Sequence, residues 1–388
     1  MTSPHLRRAA WLTAQRVRGY SVLIGIASIV LIVVSYFNAM QPAGTDFLAF
    51  WGAGHVTIAG DPSAAYDLAV QQRVQTGTGS IGWFAFVNPP PFLFIAAPFG
   101  ALPFPLAWGV WVTVTFALWA WAAIRAFPRY WMLVLVFPGA LIAAGHAQTG
   151  LLTGALLVGG VALLDKRPTA AGLLLGALII KPHLALLIPF WLAAGGRWRA
   201  FIAAGASATG LLGLAWAAFG TQTMLAYTTS WQASATLMSS DDADFYLRMA
   251  TPYSQLRLFI PPPIALAINV AVALGLIVMV CASWRRSGDP VATGALMLTG
   301  TALATPYLFN YDLPFLILPV LWLVREGRRH SFRDFEKLAL VALFAAPYAT
   351  RAMALPLGLN PMPLASLLLL WLVWTRLGKI APPRPATG

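Results

Sequence analysis

Apolar runs recur along this chain with little polar sequence between them. The first, from about Tyr20 to Met40, is built largely from Leu, Ile and Val and follows Arg7, Arg8, Arg16 and Arg18. At 1.5 Å per residue it can cross a hydrocarbon core of roughly 30 Å. No Ala-x-Ala stop interrupts it, so a retained first span is expected rather than a cleaved signal. Further apolar segments lie near 103–126, 130–144, 148–164, 169–180, 184–196, 200–220, 260–283, 291–304, 313–324, 338–349 and 363–375. They predict an all-α polytopic membrane protein with about twelve crossings. A single domain over residues 1–388 is expected, with cytoplasmic tails at 1–19 and 380–388. Outer loops are expected at 41–83 and 221–258.

Two stretches depart from the simple pattern. Asn88-Pro89-Pro90-Pro91 resists an ordinary helical start, and only about a dozen apolar residues follow before Gly100. That segment reads as half-spanning or re-entrant. Within the first outer loop, Gly60–Asp67 predicts a turn and a short helix capped by Asp61 or Ser63, and another helix begins near Phe47.

Composition supports the membrane reading. Hydrophobic residues make up 59% of the 388 and charged residues 10%, against about 25% charged in a soluble domain. The single cysteine, Cys281, leaves no intramolecular disulfide or cysteine metal cluster. A net charge of +13 raises the question of nucleic acid, but its placement answers differently. With residue 1 in the cytoplasm, the basic residues outside are only Arg73, Lys181, Arg248, Arg257 and Arg351. The outer acids are Asp46, Asp61, Asp67, Asp241, Asp242, Asp244 and Asp312. This is the bias of the positive-inside rule, so the charge orients the chain and needs no nucleic-acid partner.

The same topology gathers unusual polar residues at the outer ends of the spans. They are Asp46 in GTDFLAFWGAG, Asn88, His146 and Gln148 in GHAQTG, Lys181 and His183 in KPH, and Asn310, Tyr311 and Asp312 in FNYD. A carboxylate at a membrane-helix mouth is costly to place and usually faces a polar cavity or headgroups. Asp46 is therefore the candidate catalytic base, the alternative being that Thr45 or Asp46 merely caps the following helix. Lys181 sits between apolar runs on the side poor in cations. It is expected to bind a donor phosphate with His183 and Arg257, the alternatives being snorkelling to headgroups or an ion pair with an outer carboxylate. Asn88, His146, Gln148, Asn310, Tyr311 and Asp312 are candidate sugar or acceptor contacts; His146 and the Tyr-Asp pair also suit helix boundaries as caps or anchors.

The order GTDFLAFW…GDPSAAYD, NPPPF, GHAQTG, KPH and ATPYLFNYDLPFL resembles glycosyltransferase family 87, over roughly residues 40–325. The resemblance implies a GT-C-like bundle, a polyprenyl-phosphate sugar donor, an inverting transfer and a catalytic aspartate at position 46. It also implies a lipid-linked or glycan acceptor at the outer face of the inner membrane, with a hexose, mannose among the candidates, as the sugar. Here the GQ pair often seen in that family is spread over Gly145-His146-Ala147-Gln148. No cofactor is expected, since no HExxH or close acidic cluster calls for a metal, although a transient divalent cation is compatible. A polytopic lipid or sugar transporter or flippase is the alternative, and a non-catalytic role in envelope assembly is a third.

Overall fold

A computed structural model describes residues 7–239 and 242–378. Asp241 and the 380–388 tail, both used above for sidedness, lie outside the described residues. Among the described residues the chain is helical, with one isolated antiparallel bridge between Met249 and Phe309. Five helices are long and apolar enough to cross a membrane: Ala14–Ala39, Phe104–Ala126, Trp198–Trp231, Pro262–Ser283 and Glu336–Leu357. Pro128–Leu135 and Pro138–Gly145, bent by 48° at their junction, make a sixth if they form one broken span. The remaining expected segments are shorter apolar helices, except 313–324, which falls on the 3-10 turn Asn310–Leu316 and the helix Ile317–His330, whose last turn is basic.

Proline explains many of the breaks. Pro138, Pro168, Pro182, Pro262 and Pro290 each stand in the first turn of a helix, where the missing N–H loses nothing. Two boundaries differ from expectation. The first helix starts at Ala14, capped by the Thr13 hydroxyl accepting from Arg16 N at 3.3 Å, so Arg16 and Arg18 lie inside it. The polar interval beginning at 221 is not a loop throughout: Trp198–Ser239 is helical, broken at Gly220 with φ 77°. Hydrophobicity fell there while helical periodicity did not.

The half-spanning expectation fits the geometry. Pro90–Gly100 forms one short apolar helix, and at 1.5 Å per residue it reaches roughly half the hydrocarbon thickness. It lies against the Phe47–Ile58 helix so closely that a Cβ on Gly54 would sit 2.1 Å from the Ala96 carbonyl oxygen. A Cβ on Gly100 would sit 2.2 Å from the Gly54 carbonyl carbon. Small residues let membrane helices approach and gain packing where lipid supplies no hydrophobic drive. We expect Gly54→Ala to lower stability by roughly 1–3 kcal/mol through overpacking. Gly109→Ala, in open space, is the matched control. Thermal unfolding in detergent checks this, and equal melting of the two variants would refute the close-packing account.

The ends of the bundle differ chemically. At one end Arg7 pairs with Asp334 at 2.7 Å, Arg197 with Asp165 at 2.9 Å and Arg325 with Asp289 at 3.2 Å. There the buried Glu336 also pairs with Arg376. The opposite helix ends carry Asp46, Gln148, Lys181, Asn310 and Arg351. Above them, the 243–260 segment is tied down by a buried amide network: Asn360 Nδ2 donates to Met249 O at 3.0 Å and to Asn310 Oδ1 at 2.9 Å, and Gln255 Oε1 accepts from Asn360 N at 2.7 Å.

Candidate active site

Asp46 is fixed from below by aromatic packing. Phe47 is fully buried and meets Phe50, Phe99, Phe104 and Trp111 at centroid distances of 5.8–6.3 Å. Such ring pairs contribute about 0.5–1.5 kcal/mol each beyond their buried area. Although Asp46 occupies the N-cap position of Phe47–Ile58, its φ and ψ are −52° and −25° and its side chain makes no capping hydrogen bond. Thr45 does not cap either; its hydroxyl donates to His146 O at 3.3 Å. Instead Asp46 Oδ2 accepts from Gln148 Nε2 at 2.9 Å, across 102 residues of sequence. The other oxygen, Oδ1, has no hydrogen-bond partner among the described residues. By contrast Asp61 and Asp67 cap short helices, accepting from Ala64 N at 3.2 Å and Val70 N at 3.0 Å.

Gln148 is held by the GHAQTG turn. Ala147 has φ 48°, a left-handed conformation that strains a residue with a Cβ and is kept only where the surroundings impose it. It ends one helix at Gly145 and allows the next to start at Gly150. Gln148 Oε1 accepts from Thr149 N at 3.2 Å, which leaves Nε2 to face Asp46. Thr149 Oγ1 in turn accepts from Lys181 Nζ at 3.3 Å. At Gly150 an added Cβ would lie 1.9 Å from the Tyr311 carbonyl oxygen, so only glycine lets GHAQTG and FNYD meet.

Lys181 precedes Pro182, which disfavours the α region at that position, and its backbone (φ −151°, ψ 70°) is non-helical. That break turns its side chain inward to a buried ion pair with Asp312. Asp312 is fully buried, and its second oxygen accepts from Phe309 N at 3.1 Å. The snorkelling alternative for Lys181 therefore does not hold, and its charge is already matched by a carboxylate rather than waiting for a phosphate. His183 lies two residues on, its Nε2 buried with no hydrogen-bond partner among the described residues. Arg257 is also not drawn to Lys181: it stacks over Tyr246 at 5.0 Å and donates to Ile260 O at 3.0 Å.

The sugar-contact candidates separate into two groups. Asn310 is a structural residue, because its Nδ2 donates to Pro347 O at 2.7 Å and Thr350 Oγ1 at 2.9 Å while Oδ1 serves Asn360. Asp312, buried in its ion pair, is likewise a strut. Asn88 ties the proline edge to the KPH break, donating to Ile180 O at 3.3 Å. Half-buried Tyr311 stacks on Phe309 at 4.9 Å and meets the His146 ring at 5.4 Å. Burial first, then the charge of Asp46, holds the Tyr311 phenol well above its ordinary range, so it offers a neutral donor beside that carboxylate. His146 Nδ1 lies 3.0 Å from Ile142 O, which can only accept, so that nitrogen carries the hydrogen.

The arrangement is a carboxylate with one oxygen oriented by an amide and one open, beside a neutral phenol and an imidazole. Comparison with protein-family models matches residues 86–306 to Glycosyltransferase family 87. The chain belongs to glycosyltransferase family 87. The match spans GHAQTG and KPH, begins after Asp46 and ends before Asp312. Comparisons with curated proteins and with solved structures give no match. Family membership makes the chain a membrane glycosyltransferase, which needs a sugar donor and an acceptor. Thr149, the link from Gln148 to Lys181, gave no sequence signal beyond its position in the motif. Arg351, within electrostatic reach of Asp46 and Tyr311, was visible only as an outer-side exception to the charge bias.

Proposed function

We propose that this chain is an inverting, GT-C-type hexosyltransferase that takes its sugar from a polyprenyl-phosphate donor. The acceptor is a lipid-linked or glycan hydroxyl at the outer face of the inner membrane, and mannose heads the candidate sugars. In this reading about twelve segments enter the bilayer, several as short or broken helices, and both termini are cytoplasmic. The observation that carries the chemistry is the state of Asp46: uncapped, oriented through Oδ2 by Gln148, and open at Oδ1.

Asp46 Oδ1 takes the proton of the acceptor hydroxyl as its oxygen attacks the anomeric carbon. The bond from that carbon to the phosphate oxygen breaks, and the electron pair leaves with polyprenyl phosphate. Attack from the face opposite the leaving group inverts the configuration. Retention would need a second carboxylate placed as nucleophile, whereas Asp312 is buried and engaged by Lys181 and Phe309. Tyr311 can donate to a sugar oxygen without carrying charge.

Purified protein in lipid nanodiscs, given a panel of labelled polyprenyl-phosphate sugars and native membrane-lipid acceptors, tests this. Mass spectrometry should show a new glycosidic bond, and the product should have inverted anomeric configuration. Movement of labelled substrate into sealed vesicles without any new bond would replace the reading with a transporter.

A further inference from the structure

With Lys181 matched by Asp312, the anionic end of a lipid-linked donor lacks the cation expected for it. A cavity of about 270 Å³ lies where Ala14–Ala39, Pro138–Gly145 and Glu336–Leu357 meet, with His146 at the edge. Leu31, Leu141 and Ala352 give it apolar walls, while Ser35, His146, Tyr348 and Arg351 are its polar groups. We propose that Arg351 binds the phosphate of the lipid-linked donor in this cavity. The inference rests on the glycosyl-transfer reading and names the phosphate-binding part of the same site.

Three features support it. First, the seam is lined by the first helix, whose other faces expose Val22, Leu23, Ile26, Ile29, Val30 and Val33. A helix so apolar and so little covered borders lipid, so a prenyl chain can reach the cavity sideways while its phosphate stays at the polar end. Second, the helix around Arg351 is anchored. Pro347 O, four residues before it, and Thr350 Oγ1, beside it, accept from Asn310, which the Asn360 network fixes in turn. A planar guanidinium suits bidentate recognition of phosphate. Third, Arg351 feels the positive charge of Arg248 and the negative charge of Asp46. Among the described residues neither arginine forms an ion pair, so a bound anion would relieve a repulsion already present. It would also set the leaving group near Asp46.

Binding of radiolabelled, sugar-free polyprenyl phosphate to protein in zwitterionic nanodiscs tests the assignment. Arg351→Ala should weaken binding roughly tenfold or more, as expected for losing a charge-assisted hydrogen-bonded partner, and Arg351→Lys should lose less. Ala352→Phe, a substitution at an exposed cavity-lining position, should also weaken binding and covers the case in which the arginine variant fails to fold. Unlabelled polyprenol should not compete. Phosphatidylglycerol should compete poorly; competition equal to that of polyprenyl phosphate would make this a general phospholipid site and overturn the donor assignment. Wild-type affinity in both Arg351→Ala and Ala352→Phe would overturn the cavity while leaving the glycosyl-transfer reading intact. Failure of wild type to hold polyprenyl phosphate at all would remove both the proposal and the donor class.

Discussion

Asp46→Asn is expected to reduce glycosyl transfer by about 10²–10⁴-fold while leaving the folded protein and its donor affinity nearly unchanged. The structure explains why the two effects should separate. Asn keeps the volume of Asp and an oxygen that can accept from Gln148 Nε2, now 2.9 Å from Asp46 Oδ2. It cannot take a proton from an acceptor hydroxyl. Loss of a cap is not a confounding factor, because Asp46 makes no capping hydrogen bond. Asp61→Asn and Asp67→Asn serve as controls: both carboxylates cap helices, and Asn caps about as well. The measurement is initial rate of product formation with purified protein, with melting temperature recorded for each variant. Full activity in a folded Asp46→Asn protein would remove Asp46 from the chemistry and point to Tyr311 or His146.

The second large effect concerns stability. Lys181→Met should destabilise the protein by about 3–5 kcal/mol, because it leaves the Asp312 carboxylate buried without its counter-charge. Asp312→Asn should have a similar effect by leaving the Lys181 ammonium without its counter-charge, beside only neutral groups, Thr149 and the Tyr311 ring. The double variant should be less unstable than the sum of the two. Methionine carries no charge, and the amide oxygen introduced by Asp312→Asn can still accept from Phe309 N. Unfolding in mixed detergent micelles would measure the coupling. The opposite pattern is also informative. If Lys181→Met unfolds like wild type yet no longer binds polyprenyl phosphate, the buried pair is not a strut, and Lys181 returns as the phosphate ligand.

These two residues show how far sequence reading reached. Asp46 stood out because a carboxylate at the mouth of an apolar run is expensive wherever it does not serve a polar site. Lys181 stood out for the same reason, yet its partner did not. An isolated cation advertises the need for compensation, and 131 residues separate it from the carboxylate that compensates it. Asn310 is a similar case. An amide in a motif looks available, but its donors and acceptor are consumed by Pro347, Thr350 and Asn360. Arg351 entered the sequence reading only as an outer-side exception to the charge bias.

Hydrophobic patterning by itself determined that the chain is helical and membrane-embedded, because a bilayer requires each segment to satisfy its own backbone and to present apolar side chains to lipid. Proline positions further marked where several helices begin, including the half-length one after Asn88, since proline constrains the backbone locally. The tertiary structure alone decided which polar residues are spent on each other and which are left open. It paired Lys181 with Asp312, turned Gln148 toward Asp46 through a strained Ala147, and placed Arg351 on a cavity beside Ala14–Ala39 and Pro138–Gly145. Those outcomes depend on side chains meeting across distant segments, and neither periodicity nor local propensity encodes which donor finds which acceptor.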